Sequence, residues 1–376
     1  MPSPTRWLIG CLVLLLTGCS PTPSQQTATD ASPVPPAPVA TPMTADQLAG
    51  QRVVYSYQGL TPPEPLLTAI RSGRAAGVIF FGPNTADPEQ FRQAVAELRQ
   101  AQQQSPVHHP LLLMTDQEGG LVRRLPGAPE LSARAIGTGP DPVAAAGLAG
   151  HDAGENLVAA GLNVNLAPVL DVYQQPGNFI DQSERSFSQD PAVVSAVGRA
   201  FVTGQQQTGV AATAKHFPGL GTAPAGANTD EGPVTLTASR EQLATVDETP
   251  YPAVIEAGVD LVMLSWAVYP ALDPARPAGL SATVVGGELR GRLGFQGVTI
   301  TDALEAGALH DYGDAGARAV TAASAGMDLL LCSAQDPEQG ADATTALADA
   351  LTTGRLDRTA FTAAVDRITA LRGRLH

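Results

Sequence analysis

Eight short apolar runs recur along the chain, at residues 53–57, 77–81, 111–115, 164–166, 210–215, 261–265, 298–301 and 329–332. Each is too short for a core helix. Each is continuous rather than alternating, as expected of parallel strands covered on both faces. Between most of them lie stretches with helical periodicity, at 88–104, 142–161, 191–209, 240–258 and 315–326. Asp87-Pro88, Asp141-Pro142 and Asp190-Pro191 open three of these as N-cap plus first-turn proline. Eight strands alternating with helices predict an α/β fold, a single (β/α)8 TIM-type barrel. A doubly wound open sheet is the alternative, but no glycine-rich phosphate fingerprint follows the first run.

In a barrel, chemistry collects after the C-terminal ends of strands. In this otherwise polar-poor chain, Asn84, Asp116-Gln117-Glu118, Asp171, Lys215-His216 and Asp302-Ala303-Leu304-Glu305 all fall there. Lys215 is the sole lysine of the chain. A compact ammonium kept where every other cation is arginine suggests a specific task. Taken singly, each residue also has an ordinary structural explanation. Asp302 could cap a helix starting at Ala303, and Asp171 could steady a loop. Glu118 could pair with Arg123 or Arg124, and His216 could be a core histidine. A lone lysine at a strand end would also suit a Schiff-base aldolase. Against that, His216 and several carboxylates nearby would keep Lys215 charged.

The stretch Ala214-Lys215-His216-Phe217-Pro218-Gly219 resembles the central signature of glycoside hydrolase family 3, in its bacterial β-N-acetylglucosaminidase (β-hexosaminidase) branch. Further stretches fall in family order: 77–81, 116–120, 165–171, 184–187, 294–297 and 301–304. The resemblance implies a retaining exo-glycosidase for terminal β-linked N-acetylglucosamine. Asp302 matches the nucleophile. Asp116, Arg124, Arg185, Lys215 and His216 match positions that hold sugar hydroxyls. Lys215 and Arg185 beside Asp302 would also favour its ionised form.

One departure stands out. Where the best-known branch has its acid/base histidine, this chain has Asp230-Glu231-Gly232, and Leu220 replaces another loop histidine. A further histidine expected after the sixth strand is replaced near Trp266. Asp230 or Glu231 could serve as acid/base on a mobile, glycine-rich loop from 219 to 233. His310 could substitute for them. Alternatively, the protein binds glycans as an envelope lipoprotein and hydrolyses them poorly or not at all.

The N-terminus points outward from the cytoplasm. Arg6 precedes an apolar stretch at 7–16, too short to cross a bilayer. It ends in Leu16-Thr17-Gly18-Cys19, which resembles the lipobox of bacterial lipoproteins. Residues 1–18 are thus expected to be a lipoprotein signal peptide, with Cys19 lipidated and anchored to a membrane of the cell envelope. Residues 19–44, rich in Pro, Ser and Thr, form a tether, and 45–376 the catalytic domain. Cys11 leaves with the signal and Cys332 remains as a buried thiol, so no disulfide is expected. A net charge of −14 with no basic block excludes a nucleic-acid partner. No metal-ligand spacing is present, so no cofactor or metal is expected, and the expected state is a monomer with a carbohydrate substrate.

Overall fold

Each of the eight apolar runs is a parallel strand in the computed structural model, which describes residues 42–375. The strands are β1 (Val53–Tyr55), β2 (Gly77–Ile79), β3 (Leu112–Thr115), β4 (Val164–Asn165), β5 (Ala211–Phe217), β6 (Leu261–Leu264), β7 (Val298–Ala303) and β8 (Leu329–Leu331). They pair in sequence order, and β8 returns to β1 with Val53 opposite Leu330 and Val54 opposite Leu331. The sheet is therefore closed, and the open-sheet alternative falls away.

The continuous apolar character of the runs has a direct cause. Val54, Ile79, Met114, Leu261 and Ile300 belong to one buried cluster. Their neighbours Val53, Val78, Leu113 and Val262 belong to another, shared with the surrounding helices. Adjacent residues point to opposite faces and both faces are dry, so the runs stay apolar apart from buried threonines such as Thr213, Thr299 and Thr301. The final helix, Arg358–Arg372, closes the bottom: Ile368 and Leu371 join the first cluster. Its buried Arg372 donates to the carbonyls of Pro110 at 2.6 Å and His109 at 2.9 Å, just before β3.

The three Asp-Pro pairs cap as expected. Asp87 accepts from Glu89 and Gln90, Asp141 from Ala144, and Asp190 from Ala192, at 2.8–3.1 Å. Thr44 forms a reciprocal capping box with Gln47, starting a helix at Ala45. The stretch at 240–258 is not one helix. A widened turn spans Leu243–Asp247, with Glu248 N–H bonded to Leu243 O at 2.8 Å, and an α-helix follows over Pro250–Glu256. Pro250 lacks the N–H that a continuous helix would need. Cys332 is a buried free thiol. The expected signal peptide, Cys19 and most of the tether lie outside the described residues.

Candidate active site

β5 runs beyond its neighbours and carries Lys215 and His216 to the mouth of the barrel. Both are buried, at 2% and 5% exposure, so each must be paired. Lys215 Nζ lies 2.8 Å from Asp116 Oδ1 and 2.7 Å from Glu118 Oε1. Those carboxylates come from the chain just after β3, where Gln117–Gly119 folds back on Val122–Arg123 as a small hairpin. Arg185, from the long loop after β4, grips Glu118 with two parallel bonds of 2.9 and 2.8 Å. Arg124 Nε stands 3.9 Å from Asp116 Oδ2.

The ion pairs set the charge states. Burial alone would raise Glu118, but Arg185 and Lys215 hold it well below the usual carboxylate range. Burial alone would lower Lys215, but Asp116 and Glu118 raise it. Lys215 is therefore a fixed ammonium, and the nucleophilic amine that a Schiff-base aldolase needs is not available. Glu118 pairs with neither Arg123 nor Arg124. Arg123 instead donates to the carbonyls of Gly120 and Gly127.

His216 is oriented by a second buried carboxylate. Its Nδ1 lies 2.8 Å from Asp171 Oδ2, while Asp171 Oδ1 accepts the Leu220 N–H at 2.7 Å. Asp171 thus steadies both the imidazole and the root of the loop at 219–233. That root is tightly seated: a Cβ on Gly221 would fall 1.9 Å from the Val172 carbonyl. Leu220, where a histidine stood in the resembled pattern, is apolar and buried. The far end of the loop is held by the segment after β7. Gly307 N–H bonds Asp230 O at 2.8 Å and Ala308 N–H bonds Thr229 O at 3.0 Å. A Cβ on Gly307 would meet the Glu231 backbone at 2.4 Å, so glycine permits this approach.

Asp302 lies near the end of β7, which continues to Ala303, so it caps no helix there. Its Oδ1 accepts the Ala303 N–H at 2.8 Å. Behind it, the buried Trp266 indole donates to the Ala303 carbonyl at 2.8 Å and fixes the strand end. Lys215 bonds to Asp116 and Glu118, and Arg185 to Glu118, and neither bonds directly to Asp302.

These groups border one cavity of about 410 Å³ at the barrel mouth. Asp116, Arg124, Arg185, Lys215, His216, Asp230 and Asp302 all face it. Its floor is apolar, from Ile79, Leu166, Met263 and Leu331. Asp230 sits on the rim and much of the residue meets solvent. Nonetheless, desolvation of its carboxyl and the neighbouring Asp302 and Glu305 raise its pKa to about 6, against the pull of His216 and Arg185. Glu231 and His310 are exposed and do not border the cavity. Glu231 turns to Asn228, which donates to it at 3.1 Å.

Residues 45–371, nearly the whole described chain, match the glycosyl hydrolase family 3 N-terminal domain. The chain belongs to glycosyl hydrolase family 3. A relative from Arthroderma benhamiae, named an uncharacterized secreted glycosyl hydrolase, is 47% identical over 90% of this chain and 97% of its own length. A β-hexosaminidase of Stenotrophomonas maltophilia is 37% identical over 68% of this chain and 75% of its own. A family 3 β-N-acetylglucosaminidase from Paenibacillus superposes with a TM-score of 0.82 at 36% identity, over 89% of this chain. This chain spans 63% of that longer protein. The family 3 barrel accounts for why the seven cavity residues expected from sequence converge. Glu118, Asp171 and Glu305 were expected at strand ends but without a role in catalysis or sugar binding. The signal for all three was position alone, each following a strand end.

Proposed function

We propose that this protein is a retaining exo-β-N-acetylhexosaminidase that removes terminal β-linked N-acetylglucosamine from cell-wall-type glycans or muropeptides. One observation carries the reading. Asp302 and Asp230 border the same cavity, and Asp230 has a pKa raised to about 6. A retaining glycosidase needs a nucleophile and a second group that is protonated before bond cleavage, and a carboxyl with a raised pKa can be that group. Asp302 attacks the anomeric carbon and forms a covalent glycosyl-enzyme. Asp230 protonates the departing oxygen, then takes a proton from the water that releases the sugar. Asp230 is preferred to Glu231, which does not border the cavity. Lys215, His216, Arg185, Arg124 and Asp116 grip ring hydroxyls, as charged groups in a rigid mouth do best. The substrate class is supported by the names of the Stenotrophomonas and Paenibacillus relatives.

The protein works outside the cytoplasm, anchored through a lipidated Cys19. The sequence at 7–19 supports this, as does the secreted Arthroderma relative. Release of chromophore from an aryl N-acetyl-β-glucosaminide, abolished in Asp302→Ala, is the expected result. Measurable sugar binding with no release by the wild-type protein would replace hydrolysis with a glycan-binding role. That second role has one observation in its favour, the glycine at 232.

A further inference from the structure

Glu305 follows Asp302 by three residues on the same strand exit and faces the same cavity. Its carboxylate is held by the neighbouring β8 exit. Ser333 Oγ donates to Oε1 at 2.6 Å. Ser333 N–H and Gln339 Nε2 donate to Oε2 at 3.2 and 3.0 Å. All three donors are neutral. An ionised carboxylate offers about four acceptor positions, two on each oxygen. Oε2 has both filled and Oε1 has one, so a single acceptor position remains on a side chain that borders the cavity.

The floor of the cavity is apolar. Leu331, Ile79 and Met263 line it, and the Leu331 carbonyl accepts the Leu304 N–H at 3.0 Å, which ties it to the Glu305 segment. One acceptor next to an apolar patch complements an acetamido group, which presents one N–H and one methyl. A hydroxyl would fill the acceptor and leave the patch uncovered. Asp302 addresses the anomeric carbon in the proposed reaction, and C2 is the ring carbon beside it. We infer that Glu305 is the residue that selects the 2-acetamido sugar: Oε1 accepts the acetamido N–H while the methyl rests on Leu331, Ile79 and Met263. The inference rests on the hydrolase reading above.

The test compares 4-nitrophenyl N-acetyl-β-glucosaminide with 4-nitrophenyl β-glucoside in wild type, Glu305→Gln and Ser333→Ala. Glu305→Gln is expected to lower kcat/KM for the acetamido substrate by about tenfold to a hundredfold, the worth of a hydrogen bond to a charged group. Loss of the Glu305 charge also lowers the pKa of Asp230, which acts on both substrates alike, so the variants are compared at their own pH optima. There the glucoside should lose far less than the acetamido substrate, and the ratio between substrates collapses. Ser333→Ala keeps the carboxylate but loosens it, and should lower the same ratio by a smaller factor at an unchanged melting temperature. If Glu305→Gln does not fold, Ser333→Ala decides. Equal loss on both substrates, or a shifted pH profile at an unchanged ratio, overturns the inference in favour of an action through Asp230. If the wild type cleaves neither substrate, the hydrolase reading fails, and calorimetry with the free sugars judges Glu305 separately. Tighter binding of N-acetylglucosamine than of glucose, levelled in Glu305→Gln, supports it, and equal binding of the two in the wild type overturns it.

Discussion

Lys215 Nζ lies 2.7 Å from Glu118 Oε1, and Arg185 holds the same carboxylate through two further bonds. One buried anion thus joins the exit of β3, the end of β5 and the loop after β4. It fixes the directions of two cations that are proposed to meet the substrate. The sole lysine of the chain is therefore half of a structural lock as well as a proposed binding group.

Replacing Glu118 by glutamine is expected to be costly in both respects. It leaves Lys215 and Arg185 short of one negative charge in a buried setting, and breaking such a pair costs about 3–5 kcal/mol. Denaturant unfolding should show that loss, with kcat/KM reduced alongside. Glu118 is depressed in the folded state, so its contribution is present above its ordinary value of 4.5 and is lost only in strong acid. Lys215→Arg should not restore activity, because the planar guanidinium cannot reproduce an ammonium set between two carboxylates.

With Asp230 as the proposed acid, the reaction should carry a pH signature. A general acid must be protonated in the free enzyme, so kcat/KM should fall as pH rises through about 6. Asp230→Asn should remove that limb. It should also slow substrates with poor leaving groups far more than activated aryl glycosides, by about a hundredfold or more. Glu231→Gln should leave both the limb and the leaving-group dependence in place.

What could be read from sequence followed locality. The strands were legible because both faces of each are dry, and the Asp-Pro caps because a cap is made within three residues. Asp302, Lys215 and His216 were legible as polar residues at strand ends. The partners of Glu118 were not: they lie 67 and 97 residues away, and only closure of the barrel brings them together. The same holds for Asp171 beneath His216, and for Glu305, whose donors come from the β8 side. Position on the cavity rim likewise separates Asp230 from Glu231, which adjacent sequence positions could not.

Asp247 supplies a test of stability away from the sugar. It is 1% exposed, neither carboxyl oxygen meets a donor in good hydrogen-bond geometry although Gln174 stands beside it, and a Cβ on Gly219 would meet its side chain at 2.8 Å. Burial, Asp171 and Glu248 push it up to about 8. Its contribution to stability is therefore full below its ordinary value of 3.8 and is lost as pH rises through about 8. Between pH 5 and 8 the melting temperature of the wild type should fall relative to Asp247→Asn. One pKa unit of such a shift is worth about 1.4 kcal/mol, so the gap should widen by about 2 °C or more. Parallel curves for the two proteins would mean that Asp247 does not titrate in this range.

The proposed reaction requires a covalent bond to Asp302. The most direct measurement is peptide mass mapping after exposure to a slowly turned-over 2-acetamido glycosyl fluoride, trapped by rapid acid quenching. The expected result is one N-acetylhexosaminyl mass added to the peptide that carries Asp302, with none in Asp302→Ala. Steady sugar release with no adduct at Asp302, or with the adduct on another carboxylate, would contradict it.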